Sequence, residues 1–215
     1  MKDEDISRES CFKVGEMVAK LHQTAKNYFP ETVLRYDAGL CKSLEEKICI
    51  AWESNKSEEF SALRQEYFES TTEACELIGR RLKEKEKEFI PVHADLSLSN
   101  ILITENGFVP IDFSLFGYGH PMMDLGALFC SRFSSLENRQ AVAKGYTSAG
   151  GSIDFEMLDC CFALNVLLGI GLHVEKWIKE DWFPSRLERW CREMFVPLQE
   201  GKNLFSEDLY LLNVK

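Results

Sequence analysis

The segment Phe89 to Phe113, FIPVHADLSLSNILITENGFVPIDF, constrains the fold more tightly than any other stretch of the chain. From Asn100 to Asp112 it holds two apolar runs joined at Asn106-Gly107, a dipeptide favoured where a hairpin turn needs positive φ. The spacing predicts a β-hairpin over Ile101 to Ile111. Closing that hairpin brings Asn100 and Asp112, at its two ends, together.

The residues around those ends are chemically specific. His93, Asp95, Asn100 and Asp112 stand in the order and spacing with which phosphoryl-transfer enzymes hold a base and two metal ions. Moving a γ-phosphoryl group requires a carboxylate near the acceptor hydroxyl and oxygen ligands that place Mg²⁺ against the triphosphate. Catalysis of that kind is mostly positioning and charge neutralisation. Asp95 is the candidate base. Asn100 offers a neutral amide oxygen, which suits a hard cation without adding negative charge beside the phosphates. Asp112 is the candidate principal metal ligand. Any one of these residues alone is more often a turn former or a helix cap, so the joint pattern carries the reading.

HADLSLSN, followed by Ile111-Asp112-Phe113 and then by Gly119-His120-Pro121-Met122-Met123-Asp124-Leu125, resembles the aminoglycoside phosphotransferase and choline kinase family, whose members share the protein-kinase-like fold. The resemblance implies an α+β, mainly helical fold: the large C-terminal lobe, with a short β-hairpin at the active site. It also implies an ATP- (or GTP-) and Mg²⁺-dependent phosphotransferase acting on a small-molecule hydroxyl. Taken position by position, it gives Asp95 the base role, Asn100 and Asp112 the metal roles, and His93 a structural role orienting the loop. Asp124 would anchor that loop from a helix N-terminus. Leu102 and Ile111 fall where such folds set apolar side chains against the adenine ring, although plain core residues would read the same way. Two positions depart from the pattern. Ala94 stands where Gly is more usual, and Ser97 stands where protein kinases carry a Lys, which argues against a protein substrate.

Cys11 to His22, CFKVGEMVAKLH, has helical apolar spacing, and its Ala19-Lys20-Leu21-His22 ending resembles the first large-lobe helix of the family. Complete family enzymes begin with a small β-rich lobe, containing a phosphate-covering loop and a strand Lys. Neither a glycine-rich loop nor a Val-Ala-x-Lys motif occurs here. The expectation is therefore a single large-lobe domain over residues 1–215 with the N-terminal nucleotide-binding lobe absent: a fragment, one half of a split protein, or a truncated paralogue. Two functions stay open. One is a small-molecule kinase, truncated or completed by a separately supplied N-terminal lobe. The other is a non-catalytic pseudoenzyme or interaction module that keeps the large-lobe fold.

Composition narrows the partners. A net charge of −10 argues against nucleic acid or an anionic membrane and is compatible with a cationic substrate. The 8 cysteines form no C-x-x-C pair and no zinc spacing, and read as small buried apolar residues in a reducing cytoplasm. The acidic, polar start, MKDEDISRES, is neither a signal nor a transit peptide. Cys160 to Val174, the longest apolar stretch, reads as too short to span a bilayer.

The remaining segments read as helices packed around a central hairpin. They run over Ser43 to Ser54, Glu58 to Lys83, Leu125 to Phe133, Leu136 to Ala149, Asp154 to Lys179 and Pro184 to Leu198. The Lys83 to Glu88 charge run reads as a solvated helix end. Substrate choice would lie in the late helices. Acids with Trp177 and Trp182 could hold an amine, or could be an amphipathic helix end with solvated acids and core rings.

Overall fold

The computed structural model describes residues 6–28, 33–55, 62–130 and 135–205. The chain opens with helix α1, Arg8–Ala25, which starts at a reciprocal cap. Ser7 Oγ accepts from the Ser10 amide at 3.1 Å, and Ser10 Oγ accepts from the Ser7 amide at 2.7 Å, so two otherwise unpaired helix-end donors are satisfied. Strand β1, Leu34–Arg35, leads to α2, Ala38–Ser54, and then α3, Ala62–Glu84. Helix α2 begins several residues before the expected Ser43 because Asp37 caps it, with Oδ1 accepting from Gly39 and Leu40 amides. Residues 58–61 of the next expected helix lie outside the described residues.

Strand β2, Ile90–Val92, precedes the hairpin of β3, Ile101–Thr104, and β4, Gly107–Pro110, which is antiparallel with Leu102 opposite Val109 and Ile103 opposite Phe108. Gly107 takes φ 114°, the positive value that the Asn-Gly signal anticipates. Strand β5, Gly117–Gly119, pairs parallel to β1 and antiparallel to β2. The helices α4, Met122–Phe129, α5, Leu136–Ser148, α6, Phe155–Trp177, and α7, Phe183–Trp190, complete the body together with a short α8, Val196–Gln199.

The hairpin is not central. Ile101 is fully buried, but Leu102, Ile103 and Val109 are 46%, 50% and 41% exposed, so both sheet faces are largely open. The core lies among the helices instead, with α6 against α2, α3 and α4, and α1 against α5. At the α1–α5 crossing the backbones touch. A Cβ on Gly15 would lie 2.0 Å from the Val142 carbonyl oxygen, and one on Gly145 1.8 Å from that of Phe12, so only glycine fits at either place.

Three expectations about elements need correction. The helix expected over Pro184 to Leu198 is divided by a π turn, Cys191–Phe195, just before Pro197, which has no N–H to continue an α ladder. The Lys83 to Glu88 run is largely exposed, as expected, but only its start belongs to α3: a 3₁₀ turn, Glu86–Glu88, follows, and Arg35 pairs with Glu86 at 2.7 Å and Lys85 with Asp154 at 2.8 Å. Helix α6 is long and apolar enough to cross a bilayer, beyond what the Cys160 to Val174 stretch suggested, but most of it is buried inside the fold. The cysteines are free, and burial, the main cause, pushes the Cys11 thiol up to about 11 and that of Cys160 to about 12.

Candidate active site

The loop from His93 to Asn100 leaves β2 through Ala94, whose φ of 63° is left-handed. Glycine would adopt that conformation without cost, whereas Ala pays roughly 1 kcal/mol, which explains why Gly is the commoner residue there. A buried carboxylate holds the strained turn. Asp124, in the first turn of α4, accepts from the Ala94 amide at 2.7 Å and from the His93 amide at 3.1 Å, and is itself fully buried. It also accepts from His22 Nε2, at the end of α1, at 2.9 Å. With that ring proton on Nε2, His22 Nδ1 accepts from the Tyr146 hydroxyl of α5 at 2.9 Å. Helices α1, α4 and α5 thus converge on the loop. Burial, and then the charge of Asp124, push the Tyr146 phenol up to about 12.

His93 ties the loop to the hairpin. Its Nδ1 accepts from the Asp95 amide at 3.3 Å, which puts the ring proton on Nε2, and Nε2 donates to the Ile111 carbonyl at 2.9 Å. The ring is buried, with Phe113 4.5 Å away centroid to centroid. Asn100 makes the second tie. Its Nδ2 donates to the Asp95 carboxylate at 2.9 Å and to the Asp95 carbonyl at 2.8 Å, while its backbone carbonyl accepts from the Ile111 amide at 2.9 Å. This turns the amide oxygen of Asn100 away from Asp95, where it meets only the Ser99 hydroxyl at 3.4 Å.

Asp112 follows directly, with φ 61° and an exposed side chain whose Oδ1 accepts from the Ser114 amide at 3.3 Å. His93, Asp95, Asn100 and Ile111, which adjoins Asp112, are therefore joined by short bonds, and Asp124 supports them from below. Burial holds the half-buried Asp95 carboxyl above its usual range, opposed by the Asn100 bond and His93 and assisted by the negative Asp112. Leu102 is not a core residue: at 46% exposure it presents its side chain at the hairpin surface, and Ile111 is half-buried.

His22 and Tyr146 lie beyond what the sequence reading assigned to the site. The only signal was His22 as the last residue of an apolar helix pattern. A different cluster also gathers ligand-type atoms: those of Glu88, His120 and Asp154 lie within 4.8 Å of one another. It is poorly suited to a metal. Lys85 already pairs with Asp154 at 2.8 Å and Glu88 at 3.2 Å. His120 Nδ1 accepts from the Met122 amide at 3.3 Å, which leaves the proton on the Nε2 that a metal would need. Among the late aromatics, Trp177 is half-buried, with ring centroids of Trp182 at 5.3 Å and of Trp190 and Phe183 at 6.2 Å, while Trp182 is 43% exposed.

The model of the phosphotransferase enzyme family matches residues 1–159 of the chain. Solved structures share the fold. An amicoumacin kinase in complex with AMP-PNP, Ca²⁺ and Ami is 13% identical, with a TM-score of 0.64 over 95% of this chain and 62% of its own. A microcompartment-associated aminopropanol kinase is 17% identical, with a TM-score of 0.65 over 94% of this chain and 66% of its own. Choline kinase LicA from Streptococcus pneumoniae is 16% identical, with a TM-score of 0.60 over 88% of this chain and 64% of its own. The chain thus spans less than two thirds of the length of the amicoumacin and choline kinases. No curated protein matches it.

Proposed function

The chain belongs to the phosphotransferase enzyme family, and on that premise we propose that it is the large lobe of an ATP- (or GTP-) and Mg²⁺-dependent kinase that phosphorylates a hydroxyl of a small molecule. The observation that carries this reading is the bonded set Asp95, Asn100 and Ile111, in which a half-buried carboxylate accepts from Asn100, and Asn100 accepts from the residue that precedes the exposed Asp112. Asp95 is oriented by the Asn100 amide and accepts the proton of the acceptor hydroxyl as that oxygen attacks the γ-phosphorus. Its raised carboxyl is better matched to that proton than an exposed aspartate would be.

The donor set fits a hard divalent cation. Among the described residues Asn100 Oδ1 has one long contact and Asp112 is exposed with one weak bond, and each has an oxygen to offer a cation. These two residues would hold Mg²⁺, which when bound supplies charge neutralisation for the triphosphate. His93 and Asp124 keep the loop in register. Leu102 and Ile111 serve as the apolar floor for the base of the nucleotide, a role that the exposure of Leu102 supports.

The surface around this floor is apolar and open. Leu34, Leu102, Val109, Phe113 and Leu115 are each 38% exposed or more. Such a patch suits a β-rich lobe closing over the nucleotide, joined to this chain or supplied separately. The substrate is a small hydroxyl compound, and the net charge of −10 is compatible with one that carries a cationic group.

The test is transfer of labelled γ-phosphoryl from Mg²⁺·ATP to a panel of amino alcohols by the chain fused to the β-rich lobe of a family kinase. Labelled product supports the proposal. A folded fusion that binds nucleotide yet labels no acceptor would favour a lobe retained for interaction without catalysis.

A further inference from the structure

The route by which Asp112 is held in place involves a residue remote in sequence. Asp112 has a left-handed φ of 61°, a conformation that costs a non-glycine residue free energy and persists only when contacts on both sides fix it. On the N-terminal side the Ile111 amide donates to Asn100. On the C-terminal side the segment is mostly open: Phe113 and Leu115 are 44% and 38% exposed, and Ser114 is exposed as well. The Phe113 ring meets the buried His93 ring at 4.5 Å, the Phe116 ring meets Tyr28 at 5.9 Å, and a turn closes locally with the Phe116 amide donating to the Phe113 carbonyl at 3.1 Å, but none of these bonds the backbone of the segment to the body.

The tie comes from Tyr36. Its hydroxyl donates to the Leu115 carbonyl at 2.6 Å, three residues beyond Asp112. Tyr36 is only 3% exposed, and it is fixed at both ends. Its amide extends the β1–β5 ladder by donating to Tyr118 at 2.7 Å, and the next residue, Asp37, caps α2. The ring runs under β5 in space that glycines leave free: a Cβ on Gly117 would lie 2.8 Å from Tyr36 Cε2, and one on Gly119 3.0 Å from Tyr36 Cβ. Burial, then the charges of Asp124 and Asp95, push the phenol up to about 12, so it stays a donor across the working pH range.

We propose that Tyr36 is a positioning residue for the metal-binding segment, its hydroxyl clamping Leu115 so that the Asp112 carboxylate is aimed at the cation. This rests on the metal role proposed above for Asp112. Outer contacts of this kind typically change metal affinity by about tenfold or more when removed.

The experiment is a titration of the full chain with Mn²⁺ alone, read as paramagnetic broadening of the Ile111 and Ser114 amide resonances, in wild type, Tyr36→Phe and Asp112→Asn. In Tyr36→Phe the Mn²⁺ concentration giving half-broadening should rise about tenfold. The dispersed spectrum should be retained, and 4-aminophenylalanine at position 36, which restores a donor, should recover most of the affinity. If Asp112→Asn abolishes broadening while Tyr36→Phe titrates like wild type, the clamp is wrong. If Asp112→Asn itself titrates like wild type, the metal role of Asp112 fails and the clamp fails with it. Should Tyr36→Phe not fold, 4-fluorophenylalanine at position 36, which fills the place of the hydroxyl without donating, decides: weakening of about tenfold supports the clamp, and an unchanged titration overturns it.

Discussion

At Asp95 a carboxyl whose proton affinity is raised, mainly by burial, sits where the proposed chemistry needs a charge. Its folded-state proton affinity lies above the ordinary value, mainly through burial, so it favours the fold below the unfolded carboxylate range, and this is lost as pH rises through the folded value. Asp95→Asn keeps the shape and the Asn100 contact and removes the penalty. In metal-free buffer at pH 7 its Tm should equal or exceed wild type, and the difference should vanish as pH falls towards about 4. A Tm below wild type at pH 7 would show that Asp95 stabilises the loop. Asp124→Ala has the opposite character. It strands the His93 and Ala94 amides and His22 in a buried site, which should cost about 3 kcal/mol or more and lower Tm by roughly 6–12 °C in thermal melts. These roles were legible from residue type and spacing because each chemical group sits at a fixed offset from its neighbours along the chain. Tyr36 and Tyr146 were not, since each meets its partner through tertiary packing alone.

The elements show where local pattern suffices and where it does not. Long helices with clear punctuation, such as α5 and α6 on either side of Gly150-Gly151-Ser152, fall within a residue or two of their expected limits. The Asn106-Gly107 turn is where the dipeptide puts it. Strands β1 and β5 have 2 and 3 residues, too few for any period, and exist because they pair with each other and with β2. The exposed hairpin was misplaced at the centre because an apolar run reads alike whether it meets a core or an open surface. The α1–α5 crossing gives a sharp element-scale test. Gly145→Ala forces a methyl into the Phe12 carbonyl and must push apart the helices that carry His22 and Tyr146. It should cost about 3 kcal/mol and lower Tm by roughly 6–12 °C. Gly169→Ala in α6 is the contrast: its methyl meets only Trp177, at 3.7 Å, so the helix preference for Ala over Gly should raise stability by up to about 1 kcal/mol. Equal melting shifts for the two would refute the close-crossing account.

At the scale of the molecule, the described fold presents a prepared loop beside an exposed hairpin. The isolated chain should bind Mg²⁺·ATP weakly, because nothing in the described fold covers the phosphates, and positioning and charge neutralisation are what phosphoryl transfer requires. Calorimetry on the isolated chain should detect no micromolar binding, and such binding would mean that the nucleotide site lies elsewhere. The central claim, that Asp95 acts as the base of a phosphotransferase, is tested most directly by γ-phosphoryl transfer in the fusion with a β-rich family lobe, comparing wild type with Asp95→Asn. The expected result is acceptor-dependent product with kcat about 10² to 10⁴-fold lower in the variant. Near-equal kcat values for the two proteins would contradict it.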